Sequence, residues 1–170
     1  PIFKWERFCK EKNITILSSN YPLYGDMSTR VMNILAEFSP EIEVYSIDES
    51  FLKLNGFENY DLSEYATKMR SRVLKWTGIP TCVGIAPTKA LCKVANKIAR
   101  SNLKQSKGIC IIDSEENRIK ALKWTKIGNV WGIGRRLKKR LLAKGCTTAW
   151  DFTQLPSDWV LKNLSVVLWR

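Results

Sequence analysis

Between Leu23 and Ile112 the apolar residues repeatedly change their spacing, and this alternation restricts the fold more than any other feature of the chain. Leu23, Met27, Val31, Ile34, Leu35 and Phe38 recur at three- and four-residue steps with Pro40 just beyond, which predicts a helix. Ile42 and Val44 then alternate with Glu41 and Glu43, the period of a strand. After a break at Asp48 and Glu49, Phe51, Leu52 and Leu54 predict a second strand ending near Asn55 and Gly56. Helical spacing returns over residues 61–76, with Leu62, Tyr65, Ala66, Met69 and Val73 on one face and Gly78 and Pro80 past its end. Residues 81–86 predict a short strand, Thr88 a cap for a helix reaching about Arg100, residues 108–112 another strand, and Ser114 the cap of a short helix. The order α-β-β-α-β-α-β predicts an α+β fold with one sheet and helices packed on it. Ahead of it stand a short helical stretch over residues 3–10 and an apolar run over 14–17. Beyond residue 113 the pattern is helical in short pieces, punctuated by Gly128, Gly132, Gly134, Gly145 and Pro156. A boundary between the two regions is expected near residues 112–125.

Charge is distributed as unevenly as spacing. Residues 1–64 carry 6 Lys/Arg and 11 Asp/Glu, and residues 65–170 carry 22 and 5. No acidic residue falls between Glu64 and Asp113, and none between Glu116 and Asp151. One-signed stretches of this length favour a polyanionic partner, nucleic acid first, over a merely basic surface. No apolar run approaches the roughly 18 residues of a membrane span, so no membrane association is expected. The chain has no histidine, and its five cysteines are scattered and never spaced as Cys-x-x-Cys. A disulfide framework and a structural zinc site are therefore not expected, and catalysis would rest on carboxylates, hydroxyls, lysines or oxygen-bound metal ions.

Three constellations carry chemistry. The first is Tyr45-Ser46-Ile47-Asp48-Glu49-Ser50, in which two adjacent carboxylates sit where one strand gives way to the next. At a strand end the alternation of faces relaxes, and both acids can approach one hard cation such as Mg2+. Taken alone, the pair is a weak signal, more often a solvated acidic turn than a metal site. The second runs from Gly84 to Lys89 and into the following helix. Lys89, Lys93, Lys97 and Arg100 fall on one stripe, opposite Leu91, Val94, Ala95 and Ile98, so that one face can pack on a sheet while the other meets phosphates or simply water. The third spans Ile127 to Leu137: a short helix, the turn Gly132-Ile133-Gly134 and a helix opened by Arg135, Arg136, Lys138, Lys139 and Arg140. Glycine lets a backbone approach a ligand, and helix-opening N–H groups can donate to a phosphate. A packed helical hairpin is the plainer alternative.

In this order and spacing the three features resemble the Y-family, translesion DNA polymerases, in wording nearest to their UmuC branch. The matching stretches are Ser19-Asn20-Tyr21, Tyr24-Gly25-Asp26-Met27-Ser28, Ser39-Pro40, Tyr45-Ser46-Ile47-Asp48-Glu49, Val83-Gly84-Ile85-Ala86, Thr88-Lys89, Ala95-Asn96 and Val130 to Arg136, collinear from residue 19 to 136. The resemblance implies a remnant of fingers over residues 1–20, a palm of mixed or antiparallel sheet with packed helices over 21–115, and a small all-α helix-hairpin-helix thumb over 116–170. It implies that Asp48 and Glu49 are catalytic and hold two Mg2+ ions in the complete enzyme. By the same resemblance Arg100, with Lys89 nearby, touches the incoming triphosphate, and Gly132, Ile133, Gly134, Arg135, Arg136 and Lys139 grip the DNA backbone. Implied substrates are primer-template DNA and dNTP. Implied partners are UmuD, the RecA filament and the sliding clamp, and the implied setting is the bacterial cytoplasm during the SOS response.

The family's first motif, with a further metal-binding Asp and the aromatic residue that rejects ribonucleotides, has no match in residues 1–20. Most of the fingers and the little finger are also without counterpart, and the family's Pro-Asn-Gly after Arg100 is replaced by a longer linker to Gly108. The 170 residues alone are therefore expected not to polymerise, and to be a fragment that binds DNA. Two rivals stand beside this reading: a non-catalytic module that binds the DNA backbone, and an acidic-turn scaffold that binds a protein.

Overall fold

The computed structural model describes residues 1–164. The chain divides into two compact units, Pro1–Leu52 and Lys53–Arg170. In the first, a 3-10 turn (Ile2–Lys4) leads into α1 (Glu6–Glu11), whose buried residue is Cys9. Helix α2 (Tyr21–Ala36) begins two residues ahead of the apolar pattern because the Asn20 side chain accepts the Leu23 N–H and Pro22 fits the first turn. Burial along α2 is confined to its second half, where Val31, Met32 and Ile34 join Phe38, whereas Leu23, expected on the core face, is exposed. Strands β1 (Ile42–Val44) and β2 (Ser50–Leu52) pair antiparallel, with Ile42 opposite Leu52 and Val44 opposite Ser50. Leu54, expected in the second strand, lies beyond it.

The second unit opens with α3 (Leu62–Thr77), capped by the Asp61 carboxylate accepting from the Ser63 and Glu64 N–H groups. Its core face is Ala66, Met69 and Val73, as the spacing predicts. Strand β3 (Val83–Ile85), helix α4 (Lys89–Ser101), a further turn of helix α5 (Leu103–Ser106) and strand β4 (Ile109–Ile111) follow. Strands β3 and β4 pair in parallel, Gly84 opposite Cys110, which requires the crossover that α4 supplies. Thr88 and Ser114 cap their helices as expected, accepting from the N–H groups of Leu91 and Asn117. The expectation of one sheet is corrected: among the described residues there are two separate two-stranded ladders. Each strand pairs over three residues, β1 with its hairpin neighbour and β3 with the strand returned to it by α4. Apolar alternation specifies which face of a strand is buried and leaves its partner open.

Helix α4 crosses β3 at very short range. A Cβ placed on Gly84 would overlap the Asn96 backbone N and lie 2.5 Å from the Cys92 carbonyl oxygen, so any larger residue there drives helix and strand apart. Val94, Ala95, Ile112 and Ala121 form the core beside this contact, with Ala86, Ile98 and Cys110 packed on it. A second core lies in the helical region after β4. It includes Ile127, Ile133, Leu141 and Cys146 and is covered by Leu137, Phe152, Leu155 and Trp159. The helices there are α6 (Glu115–Trp124), α7 (Arg135–Ala143), α8 (Ala149–Thr153) and α9 (Ser157–Asn163), with a 3-10 turn at Ile127–Asn129. Residues 165–170 of the stretch expected as thumb lie outside the described residues.

Arg70 of α3 ties the beginnings of both parallel strands together. Its Nε donates to the Thr81 carbonyl at 2.6 Å and its Nη1 donates to the Lys107 carbonyl. Gly108, at φ +76°, makes room for the guanidinium: a Cβ there would stand 2.5 Å from Nη2. Replacing Arg70 by Met removes charge-assisted hydrogen bonds and is expected to lower unfolding stability by about 1.5–3 kcal/mol. Gly108→Ala adds a left-handed strain of about 1–2 kcal/mol to the overlap. Because the overlap is with Arg70 itself, urea midpoints should show Gly108→Ala costing less in the Arg70→Met background than alone.

Helix α8 carries a pronounced local electrostatic feature. The Asp151 carboxylate accepts from the Thr148 and Thr147 N–H groups and the Thr147 hydroxyl, each at 2.9 Å, and these bonds hold its pKa down to about 2. A carboxylate whose folded pKa is depressed stabilises the fold above its unfolded value near 3.8 and loses that contribution as pH falls toward 2. The wild type should therefore exceed Asp151→Asn in thermal stability at pH 6, and the gap should close between about pH 4 and pH 2.

Candidate active site and nucleic-acid interface

The five residues 45–49 joining β1 to β2 build the acidic constellation. The Tyr45 and Ser46 N–H groups both donate to the Glu49 carbonyl at 3.0 Å, which closes the turn and fixes the position of Glu49 at the mouth of β2. The Ser46 hydroxyl donates to Asp48 Oδ1 at 2.7 Å, so a neighbour two residues back orients the Asp48 carboxylate and leaves Oδ2 outside that bond. The Tyr45 ring meets Phe51 edge-on, 5.8 Å between centroids, bracing the turn from the side. Asp48 is exposed and Glu49 partly buried. Both acids thus belong to one tight turn, and their oxygens are of the hard type that Mg2+ takes. The donor set fits that ion in kind and is small in number. Among the described residues no three His, Cys, Asp or Glu groups cluster as metal ligands, so two carboxylates are what this turn offers. Mg2+ sites that also hold phosphates commonly use one or two protein carboxylates.

In the second unit, helix α4 displays the basic stripe. Lys89 is its first residue and Arg100 its twelfth, so they share a face but stand about 16 Å apart along the axis. Their backbone positions mark the two ends of a cationic strip. Lys89, Lys97 and Arg100 are exposed, whereas Lys93 is partly buried. The Asn96 side-chain oxygen on the same helix is buried without a hydrogen-bond partner.

The third constellation is the loop into α7. Gly132 is left-handed at φ +89°, while Gly134 is extended at φ −79°, ψ 178° and serves as the residue that opens the helix. Ile133 between them is 6% exposed: its side chain lies in the helical core and its N–H donates to the Val130 carbonyl at 3.1 Å. The Ile133 side chain therefore anchors the loop. The hydrogen-bond ladder of α7 begins with Lys138 N–H donating to the Gly134 carbonyl, which leaves the N–H groups of Arg135, Arg136 and Leu137 without an acceptor inside the helix. Arg135, Arg136 and Lys139 are exposed, and Leu137 and Leu141 turn inward. An exposed, cation-rich helix start of nine residues can receive a phosphate. Elsewhere, the five cysteines are free, and burial pushes the thiols of Cys92, Cys110 and Cys146 up, away from thiolate chemistry. No helix among the described residues is long and apolar enough to cross a membrane.

Residues 1–97 match the model of the impB/mucB/samB family, a stretch that contains α2, the acidic turn, β3 and most of α4. The chain belongs to the impB/mucB/samB family. Protein UmuC of Salmonella typhimurium is 40% identical over 172 residues, a match covering all of this chain and 40% of that relative. Protein ImpB of the same organism is 42% identical, covering all of this chain and 41% of ImpB. A DNA polymerase IV of Dehalococcoides mccartyi is 29% identical over 96% of this chain and 40% of its own length. The chain thus spans about two fifths of the length of these curated relatives. Among solved structures, the insertion ternary complex of Dbh DNA polymerase superposes with a TM-score of 0.78 at 27% identity, covering 99% of this chain and 48% of that one. DinB from Sulfolobus solfataricus gives 0.71 at 27% identity, covering 90% and 44%. The likeness to Y-family polymerases of the UmuC kind, read from motifs, is the likeness these family relatives show, and the mixed α+β fold is similar to that of the polymerase structures.

Sequence spacing points to the turn, the stripe and the glycine loop. It misses Arg70 and the burial of Lys93, whose partners lie far along the chain and leave no local signal.

Proposed function

We propose that this chain forms part of a DNA-directed DNA polymerase that carries out error-prone translesion synthesis in the SOS response to DNA damage. The observation that carries the reading is the turn at residues 45–49, in which Ser46 orients Asp48 beside Glu49 within the stretch that matches the family model. In this reading residues 21–115 act as palm, residues 116–170 as a helix-hairpin-helix thumb, and residues 1–20 as a remnant of the fingers. Asp48 and Glu49 would hold Mg2+, two ions in the complete enzyme, and the metal would supply Lewis-acid stabilisation of charge on the transferring nucleotidyl phosphate. The primer 3′-hydroxyl, releasing its proton to solvent, would attack the α-phosphate of the dNTP; the new O–P bond forms as the bond to pyrophosphate breaks, and pyrophosphate departs. Ser46 keeps the Asp48 carboxylate oriented while this happens. Arg100 and Lys89 offer positive charge to the triphosphate from opposite ends of their strip, so each meets a different part of the ligand. Arg135, Arg136 and Lys139, with the N–H groups at the start of α7, hold the duplex through its phosphates and carry no sequence preference.

UmuD, the RecA filament and the sliding clamp are the partners this reading implies, and a bacterial cytoplasm its setting. Two carboxylates form a sparse centre, and the isolated 170 residues are accordingly proposed to bind duplex DNA without extending a primer.

The test uses primer extension and duplex binding side by side, in the protein at the full length of its relatives. Asp48→Ala should reduce nucleotide addition on the order of 10²-fold or more while duplex affinity stays close to wild type. Arg135→Gln with Arg136→Gln should weaken binding and flatten the log–log salt dependence by about one unit for each phosphate no longer neutralised. Synthesis that survives Asp48→Ala would reduce the chain to a DNA-backbone-binding module. Affinity indifferent to salt and to both arginines would remove the DNA reading as well.

A further inference from the structure

The basic stripe of α4 contains one residue that does not behave like the rest. Lys89, Lys97 and Arg100 are exposed, but Lys93 is partly buried, and its Nζ lies over the Trp131 ring, 5.7 Å from the centroid. Trp131 immediately precedes left-handed Gly132 in the loop that delivers the start of α7. That loop is fastened inside the helical region, where Val130 packs on the core. The Ile133 side chain is buried in its core, and the stem of Lys138 lies across Gly128, where a Cβ would stand 2.6 Å from the Lys138 Cδ. The Trp131 contact with Lys93 differs in kind, because it reaches from the loop to the helix that packs on β3 and β4.

We propose that Lys93 and Trp131 form a latch that joins α4 to the loop 130–134 and sets where the cationic start of α7 is presented, which makes Lys93 a positioning residue rather than a phosphate ligand. An ammonium over an indole face is held by the ring quadrupole, and partial burial strengthens the attraction. Held over the ring, the Lys93 ammonium is committed to Trp131 rather than to a phosphate on the strip of Lys89, Lys97 and Arg100. The consequence for DNA binding rests on the proposal that α7 meets the duplex backbone; the latch itself does not.

Two measurements separate these layers. Amide hydrogen exchange at residues 131–133 without DNA reads the latch directly, because the Ile133 N–H is bonded within the loop. Lys93→Met and Trp131→Leu should each speed that exchange about two- to fivefold, the double variant should be no faster than either, and Lys93→Arg should restore protection. Duplex binding across a salt series reads the function: both single variants should weaken affinity by a similar few-fold factor and leave the salt slope unchanged. Unchanged exchange in Lys93→Met would overturn the latch. So would a salt slope lowered by about one unit in Lys93→Met but not in Trp131→Leu, the signature of a lysine that had been neutralising a phosphate. If the wild type binds no duplex at all, the DNA reading fails by itself, and the exchange arm still decides the latch.

Discussion

Helix α4 lies against Gly84 so closely that backbone meets backbone, and most of what the second unit offers chemically depends on that contact. A parallel strand pair needs a crossover, and the crossover helix must bury one face on the strands it joins. With Val94 and Ala95 buried below, the stripe of Lys89, Lys97 and Arg100 can only point away from the strands. A side chain at position 84 would lift the helix and misplace the whole strip at once. Arg70 serves the same arrangement from the other side by fixing where β3 and β4 begin. The cations are thus presented by rigid packing, although each is individually a solvated surface residue.

Much of this is legible in the sequence because the deciding interactions are local. Caps act within four residues: Thr88 and Ser114 each accept from an N–H three positions on, as expected, whereas Asn20 and Asp61 cap helices whose first residues the apolar pattern alone misses by one or two positions. The acidic turn is legible for the same reason, since Ser46 reaches Asp48 across two residues. What the sequence leaves out depends on distance along the chain. Arg70 bonds to carbonyls 11 and 37 residues away, and Lys93 meets a ring on the far side of β4 and α6. The single-sheet expectation fails on the same ground: alternation names a buried face and is silent about the neighbour. Gly132 and Gly134 show a subtler limit. Both permit a left-handed backbone, and one of the two uses it while the other opens a helix in an extended conformation.

Charge is divided along the sequence in the way the proposed chemistry would use it. Acids dominate residues 1–64, including the pair at Asp48 and Glu49, and cations dominate from residue 65 on. A protein that holds a metal ion and a polyanion needs carboxylates concentrated where the metal binds and scarce along the surface that receives phosphates, because each stray acid there repels the ligand. Several of the acids that do occur after Glu64 are occupied locally. Glu115 pairs with Arg118, Glu116 with Lys120, and Asp151 is consumed by its own helix cap. These acids sit near helix starts, where negative charge is favourable. The cation stripe and the sparse acids of the second unit thus act in the same direction, and the proposed latch would commit the Lys93 ammonium to Trp131 in return for a fixed placement of the helix that follows.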